Sequence, residues 1–104
     1  MTHKETALQY VQCFAGRDID GLGSLLAEGL RFTGPDLRVD SRAAYLDALR
    51  HDPPDRCDAA ILSVTGEGDE VVVFYELLKP GGKLTVAQWF GFGAKGIHET
   101  RLVF

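Results

Sequence analysis

The chain has 104 residues and a formal net charge of −4, with 45% of its residues hydrophobic and 25% charged. That length supports one hydrophobic core rather than two, so residues 1–104 read as a single domain. No apolar run approaches the ~20 residues of a membrane span, and the scattered Lys and Arg form no basic patch for nucleic acid. The charged N-terminus MTHKETALQYVQ lacks the apolar core of a secretory signal, so a cytoplasmic location is expected. Cys13 and Cys57 have no metal-ligand spacing and are expected as free thiols.

Thr2-His3-Lys4-Glu5 is a capping box that opens a helix. Behind it Ala7, Leu8, Val11, Phe14 and Ala15 recur at helical spacing, and Gly16 suits a left-handed cap at the far end. Asp18 can cap a short second helix that buries Ile19, Leu22, Leu25 and Leu26. Gly29 then breaks it, and Leu30–Thr33 is a brief strand running into the Gly34-Pro35 turn. Ser41 caps a third helix with Ala44, Tyr45, Ala48 and Leu49 turned inward, stopped by the prolines of HDPPD.

From there the period is two. The breaks GEGD, KPGGK and GAKG separate four strands, Ala59–Thr65, Glu70–Leu78, Leu84–Phe92 and Ile97–Phe104, joined as hairpins. In the third of these, Leu84, Val86, Gln88, Phe90 and Phe92 share a face, with Thr85, Ala87, Trp89 and Gly91 on the other. Helices followed by an antiparallel meander define an α+β domain with helices on one sheet face. The other face carries Trp89 and other large apolar groups, which a second chain can cover.

The segment YVQCFAGRDIDGLGSLLAEGLRFTGP, with the closing hairpin GFGAKGIHETRLVF, resembles the nuclear transport factor 2-like superfamily. That superfamily includes ketosteroid isomerases and SnoaL-like polyketide cyclases. The resemblance implies a cone-shaped (cystatin-like) fold, in which N-terminal helices pack on a curved antiparallel sheet around a pocket. It also implies a homodimer through the sheet face that includes Trp89. Steroid isomerases of this family carry an oxyanion-binding tyrosine in the first helix, eight residues before the Asp that opens the second, and Tyr10 stands eight before Asp18. Their general-base aspartate immediately precedes the proline of the first strand's turn, and here that residue is Gly34. Their second oxyanion donor, on the penultimate strand, corresponds to Gln88, and a supporting tyrosine in the third helix corresponds to Leu49.

The candidate catalytic residues are therefore Tyr10 and Gln88 as donors, with Asp36 or His98 as base. Asp36 requires the turn to deliver it inward, and His98 shares by alternation the face of Thr100, Leu102 and Phe104. A Gln among apolar neighbours must find a partner or lose about 1–3 kcal/mol, either to the protein or to a ligand. The expected pocket walls are Phe14, Phe32, Tyr45, Leu49, Phe74, Val86, Phe90, Leu102 and Phe104. No metal, cofactor or nucleic-acid partner is expected. Two functions fit. One is a small-molecule pocket protein, a cofactor-free isomerase or cyclase acting on a small apolar carbonyl or phenolic compound. The other is a non-catalytic dimeric module whose cone is filled by its own side chains.

Overall fold

The computed structural model describes residues 1–104. The Thr2 side chain accepts from the Glu5 amide while Glu5 reaches back to the Thr2 amide, which starts helix α1 (His3–Ala15). The left-handed residue after it is Arg17 (φ 56°), with Gly16 still in the right-handed helical region. Asp18 caps α2 (Ile19–Leu25) by accepting from the Gly21 amide at 2.9 Å.

The chain then becomes extended at once, in β1 (Leu26–Thr33). Gly29 thus lies inside a strand instead of ending a helix. Gly21 and Gly23 make α2 intrinsically weak, and the extended form lets Leu26 and Leu30 both face the core. The two-residue β2 (Arg38–Val39) returns antiparallel to β1 and precedes α3 (Arg42–His51), capped by Ser41. No helix is long and apolar enough to cross a membrane.

Strands β3 (Asp58–Glu67), β4 (Glu70–Lys79), β5 (Gly82–Gly93) and β6 (Gly96–Val103) form the expected antiparallel meander. The sheet order is β2-β1-β6-β5-β4-β3, and β1 joins β6 in parallel. The sheet is therefore mixed, and the expectation of a wholly antiparallel one is corrected. Hairpin signals report only neighbours in sequence, whereas Leu26 pairs with Ile97 across most of the chain. That approach is close: a Cβ at Gly96, where φ is +111°, would lie 2.7 Å from the Leu25 carbonyl oxygen.

The helices cover one sheet face, and the strands alternate beneath them. In β4, Val71, Val73, Tyr75 and Leu77 are buried while Val72, Phe74 and Leu78 are exposed. Phe74, expected in the pocket wall, is 41% exposed on the outer face. The run VVVFYELL is apolar at nearly every position, so its period does not reveal which half faces inward. His98 is corrected as well. Gly91 pairs with Glu99 and Phe92 with Ile97, so His98 is the extra residue of a β-bulge. Its ring lies against the outer side of Gly91 and Gly93, exposed to solvent.

Next to it on that face the nearly buried Glu99 carboxylate accepts from Arg31 at 3.0 Å and from Arg101 at 2.9 Å. The hydrogen bond from Arg101 chiefly, with the charge of Arg31 beside it, holds the Glu99 carboxyl below its usual pKa. A carboxyl lowered in this way stabilises the fold above its unfolded value of about 4.3 and loses that contribution as pH falls through the lower folded value. Glu99→Gln should therefore melt a few degrees below wild type at neutral pH, with the gap closing under acid conditions. Thermal melts of both proteins from neutral pH downward check this. A gap that persists unchanged in acid would contradict it.

Candidate functional site

Five side chains from five elements meet inside the cone: Tyr10 of α1, Tyr45 of α3, Tyr75 of β4, Gln88 of β5 and Thr100 of β6. The three tyrosines are the only ones in the chain, and all are buried. The Tyr10 and Tyr45 hydroxyls are 2.5 Å apart. The Tyr75 hydroxyl donates to Gln88 Oε1 at 2.7 Å, and Gln88 Nε2 donates to Thr100 Oγ1 at 2.9 Å. Thr100 in turn donates to the Trp89 carbonyl at 2.8 Å. Phe90 supports Tyr10 edge-on at 5.2 Å, and Phe32 stacks on Tyr45 at 4.6 Å.

Proton accounting gives each group a role. Gln88 has its carbonyl taken by Tyr75 and one N–H by Thr100. Burial pushes the Tyr10 hydroxyl up to about 12, against the pull of Tyr45 and Gln88 toward the anion. Burial also raises Tyr45, and Tyr10 raises it further, while Tyr75 is raised by burial foremost. Either hydroxyl can donate within the pair, so one phenolic proton is left over between Tyr10 and Tyr45.

Tyr10 borders an apolar void of about 100 Å³, whose other walls are Phe14, Phe32, Tyr75, Leu77, Val86, Gln88 and Leu102. A second void of about 160 Å³ lies toward the mouth, against Tyr45, Leu49, Phe104 and the Gly34–Leu37 turn, and shares Phe14, Phe32 and Leu102 with the first. Both are smaller than the roughly 300–1,000 Å³ of common ligand pockets. Space is left for one ring, not for a steroid.

The structure therefore gathers Tyr10, Gln88, Phe14, Phe32, Val86 and Leu102 at the inner void, and Tyr45, Leu49 and Phe104 at the mouth. Phe90 lies behind Tyr10, and Phe74 and His98 lie outside. Asp36 is an exposed residue on the rim of the mouth void. No carboxylate or imidazole lines the inner void. At Gly34 a Cβ would stand 3.2 Å from Phe32 Cε1 and 3.8 Å from Leu102 Cγ, so this position points into the cone. No group of three His, Cys, Asp or Glu side chains is arranged to hold a metal ion.

Tyr45, expected as a pocket wall, pairs with Tyr10 one turn before Leu49. Two further contributors escaped the sequence reading as polar partners. Tyr75 and Thr100 flank Gln88 on the inner face, and strand register, once assigned, identifies both.

A SnoaL-like domain profile matches residues 7–96. Among solved structures, a Kribbella flavida protein assigned as a ketosteroid isomerase is 19% identical, with a TM-score of 0.84 over 97% of this chain and 76% of that one. An M. tuberculosis epoxide hydrolase of the LEH-like type is 15% identical, with a TM-score of 0.80 over 98% and 81%. A Sinorhizobium meliloti protein assigned as a polyketide cyclase is 19% identical, with a TM-score of 0.78 over 94% and 93%. At these identities the likeness is one of fold. No curated protein matches the sequence significantly. With 90 consecutive positions covered by one profile, the chain belongs to the SnoaL-like domain family.

Proposed function

We propose that this chain binds a small apolar carbonyl or phenolic compound in its cone and polarises it through Tyr10, as an isomerase or cyclase without a cofactor. The observation that carries this reading is the buried Tyr10–Tyr45 phenol pair, which has one proton to spare, with Tyr10 bordering an apolar void. A donor fixed in a dry site is best matched to an oxygen on which negative charge develops. Proton transfer further requires a base within about 3 Å of the proton moved, directly or through one water. Gly34 supplies none, and His98 lies on the wrong face. Asp36, the one acid bordering the mouth void, is the base in this reading, and it acts on substrate atoms that project toward the rim.

The outer face supports a second proposal, a homodimer. Val72, Phe74 and Val103 are 39%, 41% and 66% exposed there, around Trp89. Strand register aligns Glu67, Glu70, Gly91, Glu99 and Arg31 in one row across the sheet, acids at one end and guanidinium at the other. A two-fold axis parallel to β5 sets the acids of each copy against Arg31 and Arg101 of the other, with the apolar residues between them. A dimer of this kind accompanies either a ligand-binding cone or a purely structural role. The voids beside Tyr10 favour the former.

A thermal-shift screen against phenols and cyclic ketones should find saturable stabilisation. Tyr10→Phe should weaken it by about 1.5 kcal/mol, roughly tenfold, without loss of fold. Absence of any shift would leave the dimeric module as the better account. Gly34→Asp, for which the Phe32 ring must give by a few tenths of an ångström, should accelerate α-proton exchange of a bound cyclic ketone by about a hundredfold. Exchange monitored by NMR decides this. Finally, Glu67→Lys with Glu70→Lys should weaken self-association by about thirtyfold or more, ~2 kcal/mol being the lower end for loss of an interfacial charge pair. Sedimentation velocity measures it, and a wild type that stays monomeric overturns the dimer.

A further inference from the structure

Phe14 is the one side chain that borders three separate spaces at the open end of the cone. Two are the voids already described. The third is a cleft of about 400 Å³ between the Asp52–Asp55 segment and the ends of β4 and β5. The cleft shares Phe14 and Leu77 with the inner void, and Phe14 and Phe104 with the mouth void. Phe14 stands one residue before the end of α1 and is only half-buried. A single aromatic ring at a helix terminus thus divides a narrow inner space from a much wider outer one.

The chemistry of the cleft differs from that of the inner void. Its floor is Leu77, Leu84 and Phe104, and its walls include Pro53 and Pro54. Cys57 adds a half-buried thiol that burial keeps protonated, so the floor carries no charge. Asp52, Asp55 and Lys79 are exposed at the rim, with both signs present. Such a lining is mixed, an apolar floor under a polar rim, and does not select a charge. The inner void ends at Tyr10, and the cleft offers its apolar floor beyond the partition.

We propose that this cleft is a second subsite, which takes the apolar tail of an elongated ligand whose acceptor-bearing ring sits at Tyr10, and that Phe14 is the partition the tail must displace. The subsite rests on the Tyr10 reading and extends it. The ligand class is then a ring with a hydrogen-bond acceptor at one end and an alkyl or aryl chain at the other. Ligand length, rather than ring size, is what Phe14 limits.

Calorimetric titration with para-alkylphenols, from phenol to hexylphenol, tests this on wild type, Phe14→Ala and Phe14→Ala with Leu84→Trp. In wild type the affinity should rise by about fourfold per methylene for the shortest chains and then level off. In Phe14→Ala the rise should continue, so that hexylphenol binds about tenfold more tightly than to wild type. Leu84→Trp should remove that gain and leave phenol unchanged, because it fills the cleft and not the inner void. Phe14→Leu, which keeps the helix end covered, should move in the same direction by less and serves if the alanine variant fails to fold. A rise through hexylphenol in wild type that Leu84→Trp abolishes also supports the subsite, with Phe14 yielding unaided. Phenol that binds while hexylphenol affinity shows no dependence on Phe14 or Leu84 overturns the subsite alone. Failure of phenol to bind wild type overturns the Tyr10 reading and the subsite with it.

Discussion

Gln88 places an amide in the middle of the inner sheet face, 1% exposed and surrounded by Val73, Val86, Phe90 and Leu102. An amide left unpaired in such surroundings is costly, because the alternative of hydrogen bonding to water is closed to it. Its partners come from both neighbouring strands, Tyr75 on β4 and Thr100 on β6, and the chain continues into the backbone at Trp89. On its other side the amide faces Tyr10, which α1 contributes, and Tyr10 in turn engages Tyr45 of α3. One buried polar group thus ties three strands to two helices. No buried side-chain nitrogen or oxygen lacks a partner, so the arrangement tolerates little displacement of any member.

The same arrangement explains why the cone is polar at one point only. Hydrogen bonds absorb every donor of Tyr75 and Thr100 and the carbonyl of Gln88, and the sheet contributes nothing further to the void. Two phenols sharing one hydrogen bond always leave a proton over. No carboxylate or imidazole stands at the inner void beside them. The position from which the family's aspartate would act is Gly34, whose side-chain direction meets the edge of Phe32. Phe32 in turn stacks on Tyr45, so the ring that covers the base position also braces the donor pair. The covered Gly34 position and the braced phenols are parts of one packing solution.

The helices were legible in the sequence because their signals are local. Thr2 with Glu5, Asp18 and Ser41 all cap where their residue types predict. The four-strand meander was legible from its glycine turns. What was not legible depends on long-range register. The parallel pairing of β1 with β6 has no local signature, and VVVFYELL offers hydrophobic residues to both faces, so Phe74 was assigned inward. A single bulged residue moved His98 outside, which no alternation count detects. Tyr10 and Gln88 were identifiable because one matches a family position and the other is a polar residue in an apolar row. Tyr45 was legible as an inward pocket wall, but not as the hydrogen-bond partner of Tyr10. Tyr75 and Thr100 became recognisable only once the strands on either side of Gln88 were paired.

Strand β6 places the two halves of this molecule in one register. Thr100 and Leu102 face the cone, and Glu99 and Arg101 face outward between them. The bulge at His98 sets the phase for all four residues. Without it, a strand entering from Ile97 would carry Thr100 outward and Glu99 inward, and Gln88 would lose its partner while a carboxylate entered an apolar core. With it, the inner face receives a hydroxyl that completes the Gln88 chain, and the outer face receives a carboxylate that orients two arginines. Gly91 and Gly93 leave room for the displaced imidazole, and that room is the local condition for the bulge. The hydrogen-bond chain inside the cone and the charged row outside it thus have a common structural origin, one extra residue in one strand.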